Sequence, residues 1–234
     1  MAGLANIVKN EKNIVTDAYQ QVASHNAIYR GKVLVDTTGG TAPYTLSQLQ
    51  ALVNAGNFSD IYVGDEIRVN IDSKLVRFIV MAIDWYINLG DTPLTSHHLV
   101  LVPKDILGIA QMHNTASGNW EANGNATTGA YVGSDMFKTN LPKYATKIST
   151  ALGSHILTWK SLMTNETNTT AVSPGYSGWQ GCSSNWAWTS TNCRLLSEVD
   201  VYGSIVWGNA YDVGESHRQL PGFAMNPELL VKNI

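Results

Sequence analysis

The stretch from Glu66 to Ile83 constrains the fold most. Two runs with a period of two, Glu66 to Ile71 and Leu75 to Ile83, flank Asp72-Ser73-Lys74, a short connection that fits a β-hairpin. In the second run Val76, Phe78, Val80 and Ala82 alternate with Arg77, Ile79, Met81 and Ile83. Apart from Arg77, both faces are apolar. A strand of that kind is stable only when it is covered on both sides, so this one is expected to be central and buried.

The remaining segments mix helical and extended patterns. Val33 to Val35 reads as a short strand ahead of the breaker run Asp36 to Pro43, a natural linker. Thr45 is placed to cap a helix carrying Leu46, Leu49, Leu52 and Val53, with Gly56 as its stop. His98 to Val102 is a further strand, ended by Pro103. Ser134 is expected to cap a helix over Asp135 to Ala151, which Pro142 kinks or splits. His155 to Leu162 and Val199 to Trp207 read as strands. The expected class is α+β, with a mainly antiparallel sheet, helices and long loops.

Residues 3–29 read as a helix whose stripe holds Leu4, Ile7, Val8, Ile14, Val15, Ala18, Val22 and Ile28. The stripe is narrow, and Glu11 and Gln21 break its near-heptad spacing, so a long coiled coil is not supported. Two readings stand: a helix docked on its own domain, or one that joins neighbours or copies of itself through Leu4, Ile7, Val8, Ile14, Val15, Ala18 and Val22. The division expected is residues 1–44 as helix and linker for attachment and oligomerisation, and 45–234 as the α+β domain.

Composition narrows the function classes. The chain is 44% apolar and only 14% charged, with a surface left to Asn, Thr, Ser and Gly, against a usual charged share of about 25%. This suits extracellular, virion and sugar-facing proteins. The net charge is -3 with no basic block, so counterion release on nucleic acid has no source and nucleic acid is not an expected partner. Charges interrupt the N-terminal apolar residues before a secretory signal can form. The longest apolar run, near Phe78 to Ile83, is far short of the roughly 18 residues that span a bilayer. No membrane is expected. Cys182 and Cys193 stand in one polar, aromatic stretch; a disulfide between them is sterically possible, but without a secretory signal the expectation is two free thiols.

From Thr167 to Cys193 no residue is charged, yet Tyr176, Trp179, Trp186 and Trp188 stand among Ser, Thr, Asn and Gly. So many tryptophans argue for ordered loops or short strands. With Tyr202, Trp207 and Tyr211 they are the most suggestive cluster. The ligand-binding candidates are Tyr176, Trp179, Trp186, Trp188, Trp207 and Tyr211, because aromatic faces beside Asn and Asp stack on sugar rings and bond their hydroxyls. The bland alternative is that the rings fill a loop-rich core. His97 and His98 are neighbours whose side chains diverge in an extended chain, so at most one joins a single site. Asp91, Asp212 and Glu215, with several loop asparagines, are candidate oxygen donors for calcium, but no EF-hand or other spaced acidic motif supports a site, and solvated loop carboxylates are the better reading. No catalytic constellation assembles, and neither a metal nor a cofactor is expected.

The segments Phe58-Ser-Asp-Ile-Tyr-Val-Gly-Asp65, Phe78-Ile-Val-Met-Ala-Ile-Asp84 and Ser96-His-His-Leu-Val-Leu-Val-Pro103 carry a resemblance that continues through Gly133-Ser-Asp-Met-Phe137, His155-Ile-Leu157, Leu195-Leu-Ser-Glu198 and Val201-Tyr-Gly203. In that order they resemble a family common in Gram-positive bacteria and their prophages, whose domain is related to the C-type lectin and sulfatase-modifying-factor folds. The resemblance spans roughly residues 28 to 231. It implies a phage virion structural protein, made in the host cytoplasm and built into the particle as a head decoration, fibre or tail component. It implies other virion proteins as partners and a homo-oligomer, with a trimer favoured. The family pattern continues into a Trp-Trp-Leu-Arg-Ser kind of segment and a Gly-Gly-Val-Arg-Pro strand that this sequence lacks, so the lectin-like domain is expected to be incomplete at its C-terminal end.

The leading expectation is thus a structural protein and not an enzyme. The alternative is a receptor- or carbohydrate-binding adsorption protein that contacts a bacterial surface glycan. An enzyme acting on sugars or thiols is a third class, for which the sequence offers no assembled site.

Overall fold

The computed structural model describes residues 31–112, 129–167, 183–203, 219–226 and 229. Within them the fold is mixed α+β, with a four-stranded sheet, mainly antiparallel, and a separate two-stranded one. The expected N-terminal helix lies outside the described residues.

The sheet follows from the period-two runs. Strands β2 (Glu66–Ile71) and β3 (Lys74–Ile83) pair antiparallel, with Val69 opposite Val76 and Ile67 opposite Phe78. Asp72 and Ser73 both have positive φ, 51° and 62°, the left-handed pair that lets a two-residue turn match the strand twist. Strand β1 (Val33–Asp36) adds parallel to β2, and β4 (Leu99–Pro103) adds antiparallel to β3, giving the order β1-β2-β3-β4. The strand read ahead of the linker is thus the first strand of the sheet. As expected, β3 is central.

Its two faces feed two cores. Val76, Phe78 and Val80 join Leu34, Val35, Ile67 and Val69 beneath α1 (Leu46–Asn54) and α3 (Leu141–Ala151), which contribute Leu49 and Ile148. Ile79, Met81 and Ala82 face the other way, against Leu220, Phe223 and Leu229. Each of these side chains larger than alanine contributes about 1.5–3 kcal/mol through removal from water, which is why the two apolar faces of one strand fix the layering.

Helix α1 starts as expected. Thr45 and Gln48 form a capping box, the threonine oxygen accepting from the Gln48 N–H and the Gln48 side chain accepting from the Thr45 N–H. After α2 (Ala130–Gly133) the chain turns through a π-helical segment, Met136–Asn140, directly into α3. The Ser134 hydroxyl accepts from the Phe137 N–H at 3.1 Å, and Pro142 sits in the first turn of α3, where a missing N–H costs least. The expected long helix is therefore divided at Pro142, and the division takes the form of a widened turn.

Strand β5 (Trp159–Thr167) begins four residues later than the run from His155 suggests and pairs antiparallel with β6 (Ser183–Thr191). The expected strand from Val199 is overturned: Glu198–Tyr202 is a helix, α4, and 204–207 lie outside the described residues. Ser197 and Asp200 close a capping box there, each side chain bonding the other's backbone N–H. That local signal outweighs the alternation in Val199-Asp-Val-Tyr202. A last helix, α5 (Pro221–Met225), lies over β3.

Candidate functional site

Strand alternation places Trp186 and Trp188 on one face of the β5–β6 pair, opposite Thr164 and Leu162. Both indoles are half-buried. Lys160 shares that face and is ion-paired at 3.0 Å with Asp91, in the turn after β3. That turn comes so close that a Cβ on Gly90 would stand 3.0 Å from the Trp188 ring. The Trp186 Nε1 and the Asn165 Oδ1 are both buried, with no hydrogen-bond partner among the described residues. The arrangement is a floor of two indoles and Leu162 edged by a cation and a carboxylate, which suits a ligand with both apolar and hydroxyl-bearing faces. The other expected ligand residues, Tyr176, Trp179, Trp207 and Tyr211, lie outside the described residues, as do Leu4, Ile7, Val8, Ile14, Val15, Ala18 and Val22. Tyr202 ends α4, half-buried.

The opposite face of β5 meets a buried polar and aromatic junction that the sequence reading did not identify. Trp159 stacks on Tyr86 with ring centroids 5.4 Å apart, and Tyr86 stacks on His98 at 5.9 Å. Arg194 donates to the Tyr86 hydroxyl at 3.0 Å and forks onto both oxygens of Asp200, at 2.6 and 3.0 Å. The side chains of that ion pair are 8% and 1% exposed. Asp200 also accepts from the Ser197 N–H and hydroxyl, so its charge is fully satisfied. Tyr131 joins the group: its hydroxyl accepts from the Leu195 N–H at 2.9 Å. Burial pushes the Tyr131 phenol up to about 12, against smaller lowering by the Leu195 bond and by Arg194. The one sequence signal for this junction was Ser197-x-x-Asp200.

The two histidines diverge, as an extended chain requires. His97 is exposed, edge-on to Phe58, and its Nδ1 meets Asp84 at 2.6 Å. His98 is buried. Its Nε2 accepts from the Tyr86 N–H, which leaves the proton on Nδ1 to be donated to the Ser96 carbonyl. Asp84, held at φ 52°, also accepts from the His98 N–H at 2.8 Å. With its ring engaged at both nitrogens, His98 fixes the turn after β3. Asp91 is taken by Lys160, while Asp212 and Glu215 lie outside the described residues. Among the described residues no group of His, Cys, Asp or Glu has metal-binding geometry, and no helix is long and apolar enough to cross a membrane. Cys193 is a free thiol whose burial raises its pKa; Cys182 is outside the described residues.

A second surface follows Pro103. Residues 104–112 have no regular structure, yet they are tied down: Leu107 packs into the core beneath α1 and α3, and Asn140 donates to the Gln111 carbonyl at 2.8 Å. The Met136 N–H donates to the Met112 carbonyl at 3.1 Å, and a Cβ on Gly108 would fall 2.2 Å from the Tyr144 hydroxyl. From this anchored strap Ile106 and Ile109 project into solvent, 88% and 98% exposed. No sequence pattern marks the strap, because Ile106, Leu107 and Ile109 follow neither a helical nor a strand period.

Comparison with family models, with curated proteins and with solved structures finds no match.

Proposed function

We propose that this chain is a bacteriophage virion structural protein, a head decoration or fibre component or else a tail component, carrying a C-type-lectin-like domain. It acts by assembling with copies of itself and with other virion proteins. The observation that carries the reading is the pair Ile106 and Ile109, held almost fully exposed on an anchored strap. Two isoleucines fixed in water cost free energy that a partner surface recovers. The charge-poor, Asn- and Thr-rich composition and the ordered series of short family motifs agree with it. Light scattering of the full chain, with fractionation of particles from a producing culture, tests the reading. An oligomer found in the particle fraction is expected; a monomer that never joins particles removes it.

A second reading has its own observation, the shared face of Trp186 and Trp188 beside Lys160 and Asp91. It makes the chain an adsorption protein for a bacterial surface glycan. A glycan array on the full chain, with Trp186→Ala and Trp188→Ala beside it, tests that reading. Binding lost in both variants supports it, and no binding by the parent chain removes it.

A further inference from the structure

The turn after β3 meets the indole floor as a ligand would. Trp188 stands opposite Leu162, so Lys160, two residues back along the same face of β5, is its diagonal neighbour across the pair. Two consecutive residues of the turn engage these two side chains. A Cβ on Gly90 would stand 3.0, 3.1 and 3.4 Å from Cε3, Cζ3 and Cδ2 of Trp188, so the glycine backbone itself lies against the six-membered ring. Asp91 then reaches the Lys160 ammonium at 3.0 Å. Lys160 is the only cation on the two strands, and β6 carries no charge at all.

The tip of this turn is lightly held and its base is not. At the base Tyr86 is buried in the aromatic stack, with its N–H on His98, and the Asn88 N–H donates to the Leu94 carbonyl at 3.0 Å. Beyond that bond Asp91, Thr92 and Pro93 are exposed. The Lys160–Asp91 side chains are 30% and 48% exposed, so their attraction is that of a screened surface pair. Gly90, at φ 91°, is the residue that lets backbone come so near an indole. The tip can therefore leave Trp188 while the base stays in place.

We infer that the Gly90–Asp91 tip is an autoinhibitory stand-in for a ligand, and that the ligand replacing it is a saccharide bearing a carboxylate or phosphate group. The C–H face of its ring takes the place of the Gly90 backbone on Trp188, and its anion takes the place of Asp91 on Lys160. Charge selects the acidic class. A neutral sugar that lifts the tip leaves Lys160 without its counter-ion, whereas an anionic one exchanges one anion for another and releases Asp91 into water. The inference rests on the adsorption reading and adds to it the ligand class and the element that governs access.

A glycan array with uronate-bearing, sugar-phosphate and neutral saccharides, followed by calorimetric titration of the saccharides bound, tests it on the full chain beside Asp91→Ala and Lys160→Ala. Both side chains reach solvent, so the substitutions leave the fold intact, as circular dichroism will register. Binding confined to the anionic saccharides is expected, and the two anionic arms show whether carboxylate or phosphate is preferred. Asp91→Ala should tighten it about two- to fivefold, because loss of a weak pair raises the open fraction. Lys160→Ala should weaken it at least about tenfold. Binding of neutral sugars, or anionic binding that Lys160→Ala leaves unchanged, overturns the ligand class while the adsorption reading stands. Anionic binding that Asp91→Ala leaves unchanged or weakens overturns the autoinhibition. No binding by any of the three chains overturns this inference and the adsorption reading together, and leaves the assembly reading to be decided by particle fractionation.

Discussion

The two sheets of this molecule are held by different physics. The four-stranded sheet lies between two apolar layers, and its interior side chains, Phe78, Val80 and Ile79 among them, are essentially removed from water. The β5–β6 pair has only two strands, and a two-stranded sheet is marginal by itself in water. It is kept in place by the junction on one face, Trp159 on Tyr86 and Arg194 on Asp200 and on the Tyr86 hydroxyl, and by Lys160 on Asp91 on the other. One sheet is stabilised by area and the other by directional contacts. Damage to the first should therefore be global, and damage to the second should stay local.

The largest expected effect is on the first. Phe78→Ala should lower stability by about 3–5 kcal/mol, read as a shift in the urea midpoint at constant slope. All described elements should lose protection together. Arg194→Ala should come next, at about 3 kcal/mol, because it leaves the Asp200 carboxylate buried without its cation. Its signature is where the loss falls. Amide exchange should quicken across β5, β6 and α4 while β2 and β3 keep their protection. Uniform loss in both variants would break the comparison, because it would make the two sheets one cooperative unit.

The four-stranded sheet was legible in the sequence because its signals are local and periodic. Alternation in Val76 to Ile83 announced a strand covered on both sides, and Thr45 with Gly56 bounded α1. The junction was not legible. Tyr86, His98, Trp159 and the Arg194–Asp200 segment are far apart in the chain, and apart from the Ser197-x-x-Asp200 cap no period or spacing relates them. Trp186 and Trp188 were picked out by composition, but their common face and the Lys160–Asp91 pair beside them emerge only from the register of β5 on β6. The strand expected from Val199 failed because alternation over four residues is a weak signal and the capping box a stronger one. Leu4 to Val22 and the aromatic residues Tyr176, Trp179, Trp207 and Tyr211 lie outside the described residues.

Alkaline titration sharpens the contrast further. Burial holds the Tyr131 phenol at about 12, against an ordinary value near 10. The folded state thus favours the protonated phenol. The associated stability is fully present below about pH 10 and is lost as pH rises through about 12. Tyrosinate absorbance should show one phenol ionising late, together with loosening around Leu195, and Tyr131→Phe should remove that late step. A late step that survives the substitution would assign it to another tyrosine.

The smallest effect is the most discriminating for the hairpin. The Lys160–Asp91 pair spans 3.0 Å, with side chains 30% and 48% exposed, so solvent screens it and Lys160→Ala should cost only about 0.2–1 kcal/mol. That cost should fade as salt is raised past about 0.15 M, a dependence the Arg194→Ala loss should not share, because Arg194 and Asp200 are buried from the ions. Chemical denaturation of the two variants at low and high salt separates these cases. If Lys160→Ala costs well over 1 kcal/mol and the cost persists in salt, the turn carrying Gly90 and Asp91 holds the hairpin as strongly as the buried fork does, and the indole floor of Trp186 and Trp188 depends on that turn for its shape.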